Sequence, residues 1–140
     1  MKEKKWKIEL TEYQLMLIAE CVEDCHRFMA GQTELDNTTA WLRNFRNYRE
    51  LKERLGKLQP LVTPELELNA SYGWNGGGCT NEYQRKFIAL TYYLYREIYH
   101  QITLNNAKQT DMSWNVYFND TLTCEESGEP IKVEMVEKIE

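Results

Sequence analysis

The sequence predicts an α+β fold that is mainly helical. Three packed amphipathic helices are expected, with a small antiparallel β-sheet supplied by the C-terminal third. Three observations carry this expectation. Apolar residues recur at three- and four-residue steps through three long stretches, which is the helical period. The last third switches to alternation of apolar and polar residues, which is the strand period. The chain has 140 residues, 42% of them hydrophobic and 12% aromatic, enough for one core in a single domain 1–140. A helical body over about 11–104 and a β-rich acidic segment over about 112–140 follow from these patterns.

The elements follow in chain order. Trp6, Ile8 and Leu10 alternate with Lys5, Lys7 and Glu9, the pattern of a short half-buried strand over 5–10. Thr11 and Gln14 have capping-box spacing and start a helix. Its stripe is Leu15, Ile18, Val22, Cys25 and Met29, widened by Leu17, Cys21 and Phe28, and Gly31 caps its C-terminus. A polar connection leads to a second helix over 38–56, with the stripe Leu42, Phe45, Tyr48, Leu51 and Leu55. Gly56 and Pro60 mark its end. Residues 58–79 show no helical period, and a loop of that length carries its own packing or a function. The third helix, expected over 81–103 with Thr80 as cap, presents Tyr83, Phe87, Leu90, Leu94 and Ile98. Beyond it, Trp114, Val116 and Phe118 alternate with polar residues. Ser127 to Pro130 then supply a turn between Thr121–Cys124 and Ile131–Val136. Two or three strands are expected there, joined by residues 5–10.

Composition bounds the function. There are 22 acidic and 17 basic residues, a net charge of −5. That disfavours a dedicated nucleic-acid binder, although a local basic face is compatible with it. No stretch is long and apolar enough to span a bilayer, and no apolar signal core follows the basic N-terminus. A cytoplasmic protein with reduced thiols and no membrane contact is the expectation. No Gly-x-Ser-x-Gly or His-Glu-x-x-His pattern occurs. No catalytic residue is assigned, and the enzyme question leans to no.

Several clusters invite chemistry. Cys21, Cys25 and His26 lie close in sequence, with Cys79 and His100 elsewhere. Zinc needs about four converging ligands, and His26 points about 100° away from Cys25 around a helix. Core cysteines, with His26 at the helix edge, are the favoured reading, with no metal and no cofactor. Glu20, Glu23 and Asp24 cluster on the first helix, where Glu23 is placed to pair with Arg27 rather than to run acid–base chemistry.

Tyr72, Trp74, Asn75, Gly76, Gly77 and Gly78 form a glycine-rich loop ahead of the third helix, with Arg85 in that helix's first turns. Free amides at a helix N-terminus attract anions. The lysine and hydroxyl ending of a phosphate loop is missing, however, and Glu82 occupies the positive end of the dipole. A close backbone approach is favoured over a ligand site. Arg43, Arg46 and Arg49 fall at three-residue steps on the second helix and are the nucleic-acid candidates. The competing reading is a solvated face with Arg46–Glu50 and Arg49–Glu53 pairs, and a third is a basic helix meeting the acidic C-terminal segment of another subunit. Tyr92, Tyr93, Tyr95 and Tyr99 cluster on the third helix. Tyrosine offers contact area at low entropy cost, which makes Tyr92, Tyr95 and Tyr99 the interaction candidates, balanced against a place in the core.

Two blocks carry a family likeness: Leu10 to Gln32, and Asn69 to Trp74 continuing through Asn81–Ala89 and Tyr95–His100. They resemble small uncharacterised proteins encoded by bacteriophages and mobile elements of gut bacteria. The resemblance implies an intracellular accessory protein made during phage growth and brings no catalytic residues with it. The leading functional expectation is therefore a non-enzymatic interaction protein, with a protein partner that includes a second copy. The alternatives are nucleic-acid binding through Arg43–Arg49 and small-ligand binding at Gly76–Gly78.

Overall fold

Thr11 and Gln14 close a reciprocal capping box, and Gly31 ends the helix at φ 112°, so local chemistry fixes both ends of α1 (Glu12–Ala30). The computed structural model describes residues 3–107 and 116–136. After α1 come α2 (Asp36–Thr39), a 3₁₀ turn at Ala40–Leu42, α3 (Tyr48–Gly56), α4 (Gln59–Val62) and α5 (Glu82–Asn106). Single 3₁₀ turns follow at Val116–Phe118 and Glu125–Ser127.

α1 and α5 form the centre and run antiparallel. Asn106 meets Glu12 at one end (3.0 Å) and the Gln84 amide meets the Met29 carbonyl at the other (2.8 Å). Between them, His26 Nδ1–H donates to the Ile88 carbonyl at 2.8 Å. Ala19, Ile88 and Ala89 are fully buried at this seam. The small Ala19 lets Tyr92, Tyr95 and Tyr99 close over α1, with Leu15, Met16 and Val22 packed beside them.

The long connection between α4 and α5 carries its own polar core. The buried Gln59 amide donates to Thr63 Oγ1 (2.5 Å) and the Glu67 (3.2 Å) and Ala70 (3.3 Å) carbonyls, and accepts from Asn69 N (3.1 Å). Four otherwise irregular residues are thereby tied to one side chain, which satisfies backbone groups that burial would leave unpaired.

The predicted sheet is absent: no strand occurs among the described residues, so the fold is helical rather than α+β. The two-residue alternation at Ile131 and Val133 has a different cause. Residues 116–136 form a strap across α5, and Ile131 and Val133 pack on the tyrosine cluster. The Gln101 side-chain amide donates to the Ile131 carbonyl (2.9 Å) and accepts from Val133 N (2.5 Å). Ile131 N also donates to Tyr93 Oη (3.0 Å). Side chains of a helix thus occupy the backbone groups that a neighbouring strand would have taken. Of the other alternation signal, Val116 and Phe118 lie in a 3₁₀ turn rather than a strand, and Trp114 lies outside the described residues. Residues 5–10, expected as a strand, are exposed and make no backbone hydrogen bond to another described residue.

Three further corrections concern the helices. The expected helix over 38–56 is broken: residues 43–47 are turns between the 3₁₀ segment and α3. Asn44 and Asn47 are weak helix formers, Arg43 and Arg46 repel at three-residue spacing, and Trp41 and Phe45 are left mostly exposed among the described residues. Cys21 and Cys25 are exposed rather than part of the core, only Cys79 is buried, and His26, expected at the helix edge, is buried against α5. The cap of α5 is Asn81, whose side chain accepts from Gln84 N, and not Thr80.

Candidate functional site

The three tyrosine candidates are interior. Tyr92, Tyr95 and Tyr99 are 8%, 6% and 7% exposed and contact one another edge-on, at 5.8 and 5.9 Å between ring centres. Burial pushes the Tyr95 hydroxyl up to about 12 and raises that of Tyr99, which donates to Glu23 at 3.3 Å. These rings hold α1, α5 and the strap together. They offer no patch on the surface of this chain.

The glycine loop is likewise occupied by the protein itself. Tyr72 is buried, its hydroxyl donates to Glu65 (3.0 Å), and burial together with that bond moves it up to about 12. The Glu65 carboxylate also accepts from Thr80 N (3.1 Å), and this backbone bond is the main reason its pKa is lowered. Asn75 Oδ1 accepts from Gly77 N (3.0 Å), and Trp74 packs on Tyr92 with ring centres 5.0 Å apart. Gly76, at φ 81°, lies against Arg85, where an added Cβ would sit 2.9 Å from both Arg85 Cα and its carbonyl oxygen. The Arg85 guanidinium turns away to Glu126 on the strap, at 2.5 Å. The loop is a close backbone approach with its one arginine already paired.

The arginine segment is different. Asp24, a buried carboxylate on α1, accepts from Asn37 N (3.0 Å) and Thr38 N (2.6 Å) at the start of α2. The Asn37 amide donates onward to Glu23 (2.9 Å) and to the Glu20 carbonyl (3.1 Å). At the far end, Lys52 pairs with Asp36, and Thr33 Oγ1 donates to the Leu55 carbonyl. The chain between these anchors is carried outward. Trp41 is 65% exposed and Phe45 63%. Arg43, Arg46 and Arg49 are exposed, and none pairs with a carboxylate among the described residues. The expected Arg46–Glu50 and Arg49–Glu53 pairs do not form, because Glu50 takes Arg54 (2.7 Å) and Glu53 takes Lys57 (3.3 Å). An open depression of about 430 Å³ at one side is lined by Glu20, Asn37, Ala40, Trp41, Arg43 and Asn44.

The three arginines therefore come together on one projecting segment, although not on one helical face. The residues missed in the sequence are Trp41 and Phe45. Their signal was available: residues 40–49 contain three arginines and no carboxylate, interleaved with aromatic rings, in a chain of net charge −5.

Among the described residues, no three His, Cys, Asp or Glu side chains converge as metal ligands. His100 donates through Nδ1 to the Tyr117 carbonyl (2.6 Å), and burial lowers the pKa of His26. No described helix is long and apolar enough to cross a membrane. Family models, curated proteins and solved structures return no match to this chain.

Proposed function

We propose that this chain is a non-enzymatic interaction protein that docks an acidic partner protein on residues 40–49. The observation that carries the reading is that Arg43, Arg46 and Arg49 pair with no carboxylate among the described residues and stand beside two exposed rings. Tryptophan and arginine dominate interface hot spots, since a flat ring gives area and a guanidinium forks onto a carboxylate. Local positive charge on a chain of net charge −5 also favours this face for an acidic partner. We place the protein in the cytoplasm, in keeping with its exposed thiols. The phage or mobile-element setting rests on the resemblance of residues 10–32 and 69–100.

The test is fluorescence anisotropy with a labelled 20-residue glutamate-rich peptide. The wild-type chain should bind it at low salt, and R43Q/R46Q/R49Q should weaken binding by up to roughly a hundredfold, at up to about 1 kcal/mol for each solvent-exposed ion pair removed. An unchanged affinity in the triple variant would end this reading. The interleaving of rings with arginines also favours a second one, stacking on single-stranded nucleic acid. A 20-nucleotide oligothymidylate in the same assay separates the two. Tighter binding to the oligonucleotide, abolished in W41A/F45A and steeply salt-dependent, would select the nucleic acid.

A further inference from the structure

Residues 3–10 are exposed throughout, and their backbone groups bond to no other described backbone. Trp6 is 84% exposed, Ile8 74% and Leu10 37%, a row of apolar side chains that the described residues leave largely open at Trp6 and Ile8 and partly open at Leu10. The arm is held beside the strap by an ion pair, Lys5 to Glu129 at 2.9 Å. An unpaired edge carrying an apolar row is a template for strand pairing.

The order of residues names what pairs with it. Two copies of this segment, placed antiparallel about a twofold axis through Ile8, bring Lys7 opposite Glu9 of the other copy, twice by symmetry. The same register sets Trp6 opposite Leu10 and Ile8 opposite Ile8, and it sets Lys5 opposite Thr11. Residues directly opposite each other in an antiparallel pair share a face. The apolar side chains therefore fall on one side of the ribbon and complementary charges on the other. A one-residue slip would set Lys7 against Ile8 and mix the two faces.

We propose that two copies of this chain associate through residues 5–11 as a two-stranded antiparallel ribbon with Ile8 on the symmetry axis. The occupant of the arm is the same arm of a second protomer, an isologous contact. This pairing lies between chains and is independent of the arginine surface.

The experiment uses three forms of the full chain in sedimentation velocity from about 1 to about 200 µM, a range that brackets micromolar dissociation constants. Wild type should show a concentration-dependent dimer. In K7E positions 7 and 9 are both acidic, and in E9K both are basic. Each variant then faces its own charge in a homodimer and should associate at least about tenfold more weakly. Mixed in equal amounts, the two should recover a dimer of wild-type affinity, since every charged pair is then opposite in sign. Both changes are on exposed side chains, and unchanged far-UV circular dichroism would show that the fold is kept. A wild type that stays monomeric to the top of that range would overturn the proposal. So would a dimer indifferent to K7E, which would place the contact elsewhere, or a K7E and E9K mixture no tighter than its components.

Discussion

The three consecutive glycines make a graded test of whether their loop is a structural joint. Gly76 has φ 81°, and a Cβ there would lie 2.6 Å from Arg85 Cγ and 2.9 Å from Arg85 Cα and O. The Cγ can move, but the backbone atoms of α5 cannot. Left-handed backbone costs an L-residue about 1–2 kcal/mol, and overpacking about 1–3 kcal/mol. G76A should therefore destabilise by about 2–5 kcal/mol, the sum of the two. Gly78 shares a positive φ (94°), but its Cβ would meet only Tyr72 Cδ1 at an ordinary 3.6 Å. G78A should cost the conformational part alone, about 1–2 kcal/mol. Gly77 has no such φ, and its Cβ would approach only the Asn75 side chain at 3.2 Å. Loss of chain entropy in the unfolded state offsets that crowding, which leaves G77A within about 0.5 kcal/mol of wild type. Urea denaturation followed by circular dichroism reads all three, with the denaturant slope checked for constancy. Equal effects at Gly76 and Gly77, or a G76A cost below about 1 kcal/mol, would refute the close-approach account and reopen the loop as a ligand cradle.

Two other perturbations follow from the fold. Burial lowers the pKa of His26 in the folded chain, so the unfolded chain takes up a proton first as pH falls. The stability contribution is complete above the unfolded value of about 6.5 and declines below it toward the folded pKa. Thermal melts at about pH 7.5 and about pH 5.5, one unit either side of that value, should therefore show a loss on acidification that is smaller in H26N, which keeps a donor near the Ile88 carbonyl. An equal acid loss in both would remove His26 as the cause. Q101A deletes both amide bonds to the strap and should cost about 1–3 kcal/mol, at about 0.5–1.5 for each. Trypsin should then cut at the exposed Lys132 sooner than in wild type, and an unaltered cleavage rate would show that the strap is held elsewhere.

What the sequence disclosed was local, and what it concealed was tertiary. Thr11 with Gln14 and Gly31 delimit α1 through contacts within four residues, so their geometry was readable from spacing. The helix predicted over 38–56 does not form in one piece because half of its apolar stripe has too little to face. Phe45 has the right period but stays mostly exposed among the described residues, and the asparagines then decide the local conformation. The alternation at Ile131 and Val133 was a real signal of a one-sided chain, but Gln101, thirty residues upstream, supplied the other side. The balance between core and surface for Tyr92, Tyr95 and Tyr99 turned on the small Ala19 of an antiparallel α1. Arg85 looked available to an anion because Glu126 is forty-one residues away in sequence. The arginine segment was found for the right charges and the wrong geometry.

Asp24 never reaches the surface, yet it determines how that surface is presented. By holding the amides of Asn37 and Thr38 it fixes the root from which Trp41 and Phe45 project. On the proposed function, a partner would meet rings and guanidiniums on a rooted segment and would be spared part of the entropic cost of ordering ten residues. Evolution or design can in that case tune affinity from inside the protein, by loosening a carboxylate that no partner ever touches.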